Sequence, residues 1–394
     1  MNRLYLFNPD NDMALASFSP YYKAPRSATK MAADLSALPA WFAEGGEASV
    51  FLSSDRQQEW MEQNACFPLS VSYTTQLSSI YMKVCPWGWN PALRRSLSEG
   101  GLAEDCLPTQ EELQQIRLLS SRELAVDVLQ QVHVPGTLGE SHLLRTCDEV
   151  LDFLQTNSRA LLKAPWSGSG KGIRPVWTAP DESLLGWIKR ILHTQGAIAA
   201  EPFYDKVLDF AMEFRMEAGR IQWVGYSLFE TDHRGAYKGN ALLSNEQIEQ
   251  KLSPYVSVEV LRQVSFQLAQ ILENRLSARY EGYLGVDMMI CRQEAGGFAV
   301  HPCVEVNLRM NMGVVARLFY DRYVHPHSQG SYVVAFYSQP GEALSFHQEQ
   351  ISKHPFQLLE GRMQRGYLSL TPVFADTTYQ VYVLLDEGRP VSHS

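Results

Sequence analysis

Apolar positions near the start of the chain fall in short runs, Leu4 to Phe7 and Ser49 to Leu52, separated by polar loops and helix-length stretches. That spacing predicts a small α/β domain over residues 1–115. The polar loop Asn8-Pro9-Asp10-Asn11-Asp12 then either lies at the carboxyl edge of its sheet, where open α/β domains bind ligands, or caps a helix. Three capping boxes mark helix starts further on: Thr109 with Glu112, Ser120 with Glu123, and Thr146 with Glu149. Next come a strand over 160–164, a small-residue loop, a strand over 173–177, a helix from Asp181 to His193 closed by Gly196, and a strand from Ala197 to Glu201. This order describes a compact first lobe, residues 116–205.

Alternating segments from Leu208 to Phe229 flank Ala218-Gly219 as a hairpin would, and the run from Val258 to Arg279 places Leu261, Val264, Leu268, Ile271 and Leu272 on one helical face. Two further strand-like runs, Gly282 to Cys291 and Phe298 to Asn307, surround the turn Glu294-Ala295-Gly296-Gly297. With the turn centred on Gly296, Asp287 stands opposite Glu305, Gly285 opposite Asn307, Val286 opposite Val306 and Met288 opposite Val304. One face then gathers two carboxylates and an amide while the other stays apolar, a segregation that a one-residue slip destroys. These runs make a second lobe over 206–330, followed by a β-rich extension over 331–394 in which Gly366 to Leu385 alternates.

Composition changes this picture little. With 45% hydrophobic and 20% charged residues the chain is ordinarily globular, and its formal charge of -9 without a basic run argues against nucleic acid or an anionic membrane as partner. Acidic residues arrive early, no apolar run reaches the length of a membrane span, and the expectation is a cytoplasmic protein. The six cysteines are scattered without a C-x-x-C pair, as reduced thiols are, and His325 and His327 lack a third ligand nearby in sequence. Trp87-Gly88-Trp89 and Arg94-Arg95 suggest packing and a solvated face.

Candidate chemistry concentrates in two places. The loop Ser167-Gly168-Ser169-Gly170-Lys171-Gly172 has little side-chain bulk, so its backbone N–H groups can approach an anion, with Lys163 and Lys171 adding charge; such loops are also simply mobile turns. Neither the Walker spacing nor the dinucleotide fingerprint is met, and a loop between two strands reads as a flap over phosphates. Facing carboxylates at Asp287 and Glu305 repel unless a cation lies between them, which magnesium satisfies; a protonated or arginine-paired dyad is the alternative. Arg309 projects to the same face as Asn307 and offers a fork of donors, while Arg317 and Arg322 read as surface charges.

Taken in order, Lys163, the Gly-rich loop, Glu201-Pro202-Phe203-Tyr204, Asp287 and Glu305-Val306-Asn307-Leu308-Arg309 resemble the ATP-grasp superfamily over about Ser120 to Gly313. The resemblance implies an α/β and α+β architecture: a Rossmann-like pre-ATP-grasp domain, then two lobes enclosing ATP and two magnesium ions, with manganese as a substitute. It implies that Arg122 and Lys163 touch phosphate, that the backbone of Glu201, Pro202, Phe203 and Tyr204 reads adenine, and that Asp209 meets the ribose. Asp287, Glu305 and Asn307 match the metal ligands; Lys238 and Arg309 match cations near the γ-phosphate or substrate. Arg122 stands where lysine is frequent, and Gly285 where some amino-acid ligases carry an arginine. The chemistry implied is ATP-dependent ligation of a small-molecule or peptide carboxylate to an amine or other nucleophile. A kinase that stops at the phosphorylated product, or a non-catalytic nucleotide-binding module, are the rivals.

Overall fold

A computed structural model of the chain describes residues 2–44, 46–167, 172–231 and 237–386. The described strands form three sheets. Near the start, the order Val71–Thr74, Ala48–Phe51, Arg3–Leu6, Lys83–Pro86 makes a four-stranded, wholly parallel sheet. Parallel strands need covered faces. Leu4 and Leu6 pack beneath Leu97 on one side, and Tyr5 and Val50 beneath Leu38 and Trp41 on the other.

The second sheet is small and antiparallel, in the order His142–Leu144, Ile198–Pro202, Ala160–Lys163, Ile173–Val176. Helices Cys147–Thr156 and Glu182–Gln195 cover it through Val150, Leu154, Ile188 and Ile191. Their ends follow from local chemistry: Thr146 and Glu149 form a reciprocal capping box, and Gly196 closes the second helix at φ 79°. The box at Thr109 also forms, but helix Arg122–Gln131 is capped by Ser121 rather than Ser120. Ser120 instead ends the preceding helix, Gln110–Leu119, so one serine closes a helix and its neighbour opens the next.

The third sheet has nine strands and carries the site. Its order is Phe298–Asn307, Gly282–Arg292, Asp205–Glu217, Arg220–Thr231, Tyr237–Leu242, Gln329–Phe336, Tyr379–Asp386, Arg362–Ser369, Gln357–Leu359. Helix Val258–Leu276 lays Leu261, Val264, Leu268, Leu272 and Leu276 on one face, against Phe210, Met212, Val286 and Ile290. The opposite face of the first three strands carries Glu213, Asp287, Glu305, Asn307 and His301, of which Glu213 and His301 are fully buried.

The hairpin pairing holds at the site but arises differently from the simple turn-centred register. Beside the turn, Ile290 pairs with Val300 and Cys291 with Ala299, a register centred on Ala295. Between Asp287 and Met289 the register shifts, so Pro302, Cys303 and Val304 stand opposite Met288 alone. Pro302 lacks the N–H a ladder requires and sits on an edge strand, where such an irregularity is tolerated. The expected Met288–Val304 pair is therefore absent, and Cys303 joins Met288 in the core instead. Beyond the bulge Asp287 pairs with Glu305, Val286 with Val306 and Gly285 with Asn307.

Candidate active site

Directly paired residues on antiparallel neighbours project to the same face, so these three strands place three rows of side chains on one face. They are Glu213, Gly285 and Asn307; then Ala211, Asp287 and Glu305; then Asp209, Met289 and His301. Gly285 is glycine because a Cβ there would lie 2.5 Å from both the Glu213 carboxylate and the Asn311 amide, which leaves no room for an arginine. Asn307 donates from Nδ2 to Asp287 Oδ2 at 3.0 Å. Burial, and next the charge of Glu305, pushes the Asp287 carboxyl up to about 7. Among the described residues no three His, Cys, Asp or Glu side chains gather at metal-holding distance. The donors present, two carboxylates and an amide, nonetheless fit magnesium, which prefers oxygen and leaves positions for phosphate and water.

Arginines tie this row to the rest of the chain. Arg122, nearly fully buried, donates from Nη2 to Glu305 at 2.9 Å and from Nη1 to the Ser167 hydroxyl at 2.7 Å and the Ala164 carbonyl at 2.5 Å. The first residue of the Gly-rich loop is thereby fastened to the carboxylate hairpin. Its other end is close too: Ala164 N–H bonds the Gly172 carbonyl at 2.8 Å, and a Cβ on Gly172 would strike Ser167. Gly168, Ser169, Gly170 and Lys171 lie outside the described residues. Arg309 grips both oxygens of Asp12, from Nε at 2.7 Å and Nη2 at 2.6 Å, and reaches Asn307 Oδ1 at 3.2 Å.

Lys163 and Glu201 form a buried ion pair between neighbouring strands of the small sheet. Beyond Pro202, Phe203 is fixed by its N–H to the Arg159 carbonyl at 2.9 Å and by an edge contact with Trp177. Tyr204 sets its ring against His301. Asp209 meets Lys206 at 2.5 Å. Lys238 stands exposed on its strand, two residues from Asn240, and has no ion pair among the described residues.

Some residues gain importance only in the structure. Glu213 is buried and accepts from Asn311 Nδ2 at 3.0 Å; burial above all, reinforced by the Asp287 charge, pushes its carboxyl up to about 8. Its even spacing from Asp209 along one strand was the available signal. Asp12, from the first polar loop, had no spacing rule linking it to Arg309. Arg317 is not a surface charge: it is buried and donates to the Leu243 carbonyl and Asp321, while Arg322, half-buried, donates to the Ala43 carbonyl and Glu44. Both satisfy carbonyls or carboxylates left at an interface, which helical spacing alone does not reveal.

Two cavities meet at Arg309. One of about 20 Å³ lies among Asp12, Ser167, Glu305 and Asn307. The other, about 280 Å³, runs along strand Lys83–Pro86 to Trp87, Tyr283 and Arg215.

Solved structures share this arrangement of sheets. An N5-carboxyaminoimidazole ribonucleotide synthetase in its ADP complex superposes with TM-score 0.50 at 10% identity, covering 98% of this chain and 93% of that one. A biotin carboxylase from Campylobacter jejuni, in a β,γ-ATP complex, does so with TM-score 0.51 at 12% identity, covering 98% and 88%. This chain has an ATP-grasp fold. No family model matches it, and no curated protein matches it in sequence. No helix among the described residues is long and apolar enough to cross a membrane.

Proposed function

We propose that the protein is an ATP-dependent ligase that joins a carboxylate to an amine or other nucleophile through an acyl phosphate, releasing ADP and phosphate. The observation that carries this reading is Arg122, whose one guanidinium bridges the Gly-rich loop at Ser167 and the metal-suited carboxylate Glu305. Phosphate held by the loop would therefore lie beside the two facing carboxylates. The domain reading that goes with it assigns 1–115 to a preceding α/β domain, 116–205 and 206–330 to the two lobes and 331–394 to an extension.

In this reading Asp287, Glu305 and Asn307 hold magnesium, which when bound neutralises charge on the terminal phosphates. Arg122, Lys163 and Lys238 add fixed positive charge along the phosphates. The substrate carboxylate attacks the γ-phosphorus and ADP leaves; the nucleophile then attacks the acyl carbon, the bond to the phosphate oxygen breaks, and an amine gives up its proton. Arg309 stands between the two cavities, placed to face phosphate on one side and the acyl group on the other. The larger cavity lies near the lower end of the roughly 300–1,000 Å³ usual for small-molecule sites, which suits a small carboxylate or amine. The ligase reading favours a cytoplasmic setting, where ATP is abundant.

A metabolite screen following ADP and phosphate release tests the proposal. Turnover that needs both a carboxylate and an amine, and is lost in Asp287→Asn, is expected. A stable phosphorylated product without amine dependence identifies a kinase instead, and nucleotide binding without turnover on any substrate pair overturns the catalytic reading.

A further inference from the structure

His301 is fully buried, and neither ring nitrogen has a hydrogen-bond partner among the described residues. A neutral imidazole carries one donor and one acceptor, and leaving both unmet inside a protein is destabilising. Every other polar group in the three rows on this face has a partner: Glu213 has Asn311, Asp287 has Asn307, Glu305 has Arg122 and Asp209 has Lys206. The exception therefore points to a partner that arrives from outside the chain.

Its position indicates which part of a ligand it meets. His301 pairs with Met289, two residues along the strand from Asp287, a displacement of about 7 Å. With terminal phosphates at the carboxylates, that distance carries past the phosphate chain to the nucleoside. On one side the edge of Tyr204 approaches the imidazole, with centroids 5.3 Å apart. On the other, a Cβ on Gly139 would come within 3.0 Å of Nε2, so only glycine lets the backbone lie so close. Burial, and next the charge of Lys163, pulls the His301 pKa down to about 3, so the ring is neutral and keeps both a donor and an acceptor at ordinary pH.

We propose that His301 reads the nucleoside end of the bound nucleotide, its imidazole hydrogen-bonding a purine nitrogen or ribose hydroxyl once the Tyr204 ring gives way. This rests on the ATP-dependent reading of the cleft. It adds a contact supplied from the floor of the sheet, in a residue that no motif in the sequence marks.

The test compares wild type with His301→Leu and the near-isosteric His301→Phe, using calorimetric titration with magnesium ATP and with magnesium tripolyphosphate. Removing one hydrogen-bonding partner is expected to weaken ATP binding about tenfold and leave tripolyphosphate binding unchanged. The ligand-free apolar variants are expected to melt at or above the wild-type temperature, because two unmet nitrogens are gone; a purely structural histidine predicts the reverse. His301→Gln, which keeps a donor and an acceptor, should recover part of the lost affinity. Unchanged ATP affinity in both apolar variants, or equal losses for ATP and tripolyphosphate, overturns the role of His301 alone. A wild-type protein that binds no ATP overturns the ligase reading together with it.

Discussion

The two ends of the cleft are built on different principles. At the carboxylate end every acidic group is paired inside the protein, and the pairs reach across the fold: Glu305 to Arg122, and Asp12 of the first domain to Arg309. At the other end one buried ion pair, Lys163–Glu201, holds two strands together, while His301 has no polar partner among the described residues. A cation entering the first end competes with arginines already in place, whereas at the second His301 has no hydrogen bond to give up to a ligand. The first end is thus suited to exchange of charge and the second to recognition.

The contrast breaks most visibly at Lys163. Lys163→Met leaves Glu201 buried and unpaired and should lower stability in urea by about 3–5 kcal/mol, while the double change with Glu201→Gln should recover most of it. Equal losses in the single and double variants would show that the pair holds no special position. At the other end, Asp287→Asn or Glu305→Gln should cut ADP release about 100-fold or more, with little change in melting temperature. Asp12→Asn sharpens the comparison: it frees the Arg309 fork, and turnover should fall about tenfold with the fold intact. Should it leave turnover unaltered, the link between first domain and cleft is structural only.

A smaller effect concerns pH. Glu213 is raised from the usual 4.5 to about 8 by burial, so between those values the folded protein binds a proton that the unfolded chain has released. Stability then declines as pH rises through that window. Melting temperatures of the ligand-free protein should therefore fall between about pH 5 and pH 8, and Glu213→Gln should flatten the slope; identical profiles would show that Glu213 is not the group responsible.

Much of this was legible in the order of residues. Polar alternation placed Asp287, Glu305 and Asn307 on one face because burial of the other face leaves a single acceptable register. The route to that register was not legible, since the bulge at Pro302 trades one turn centre for another and restores the pairing farther on. Asp12 and Arg309 are 297 positions apart, and their contact depends on how two domains dock, which local spacing does not encode. No spacing or motif marks His301; only the lack of hydrogen-bond partners for its ring nitrogens among the described residues distinguishes it.

The first domain and the far end of the nine-stranded sheet share one core, in which Trp41 packs against Phe319 and donates to the Leu370 carbonyl at 2.7 Å, and Asp34 accepts from the backbone of Thr378 and Tyr379. During synthesis, the earliest-made helices must wait for some of the last-made strands before their apolar surfaces are covered. Losing strand Tyr379–Asp386 would uncover Trp41 and its neighbours, so the first sheet and the far end of the third stand or fall together.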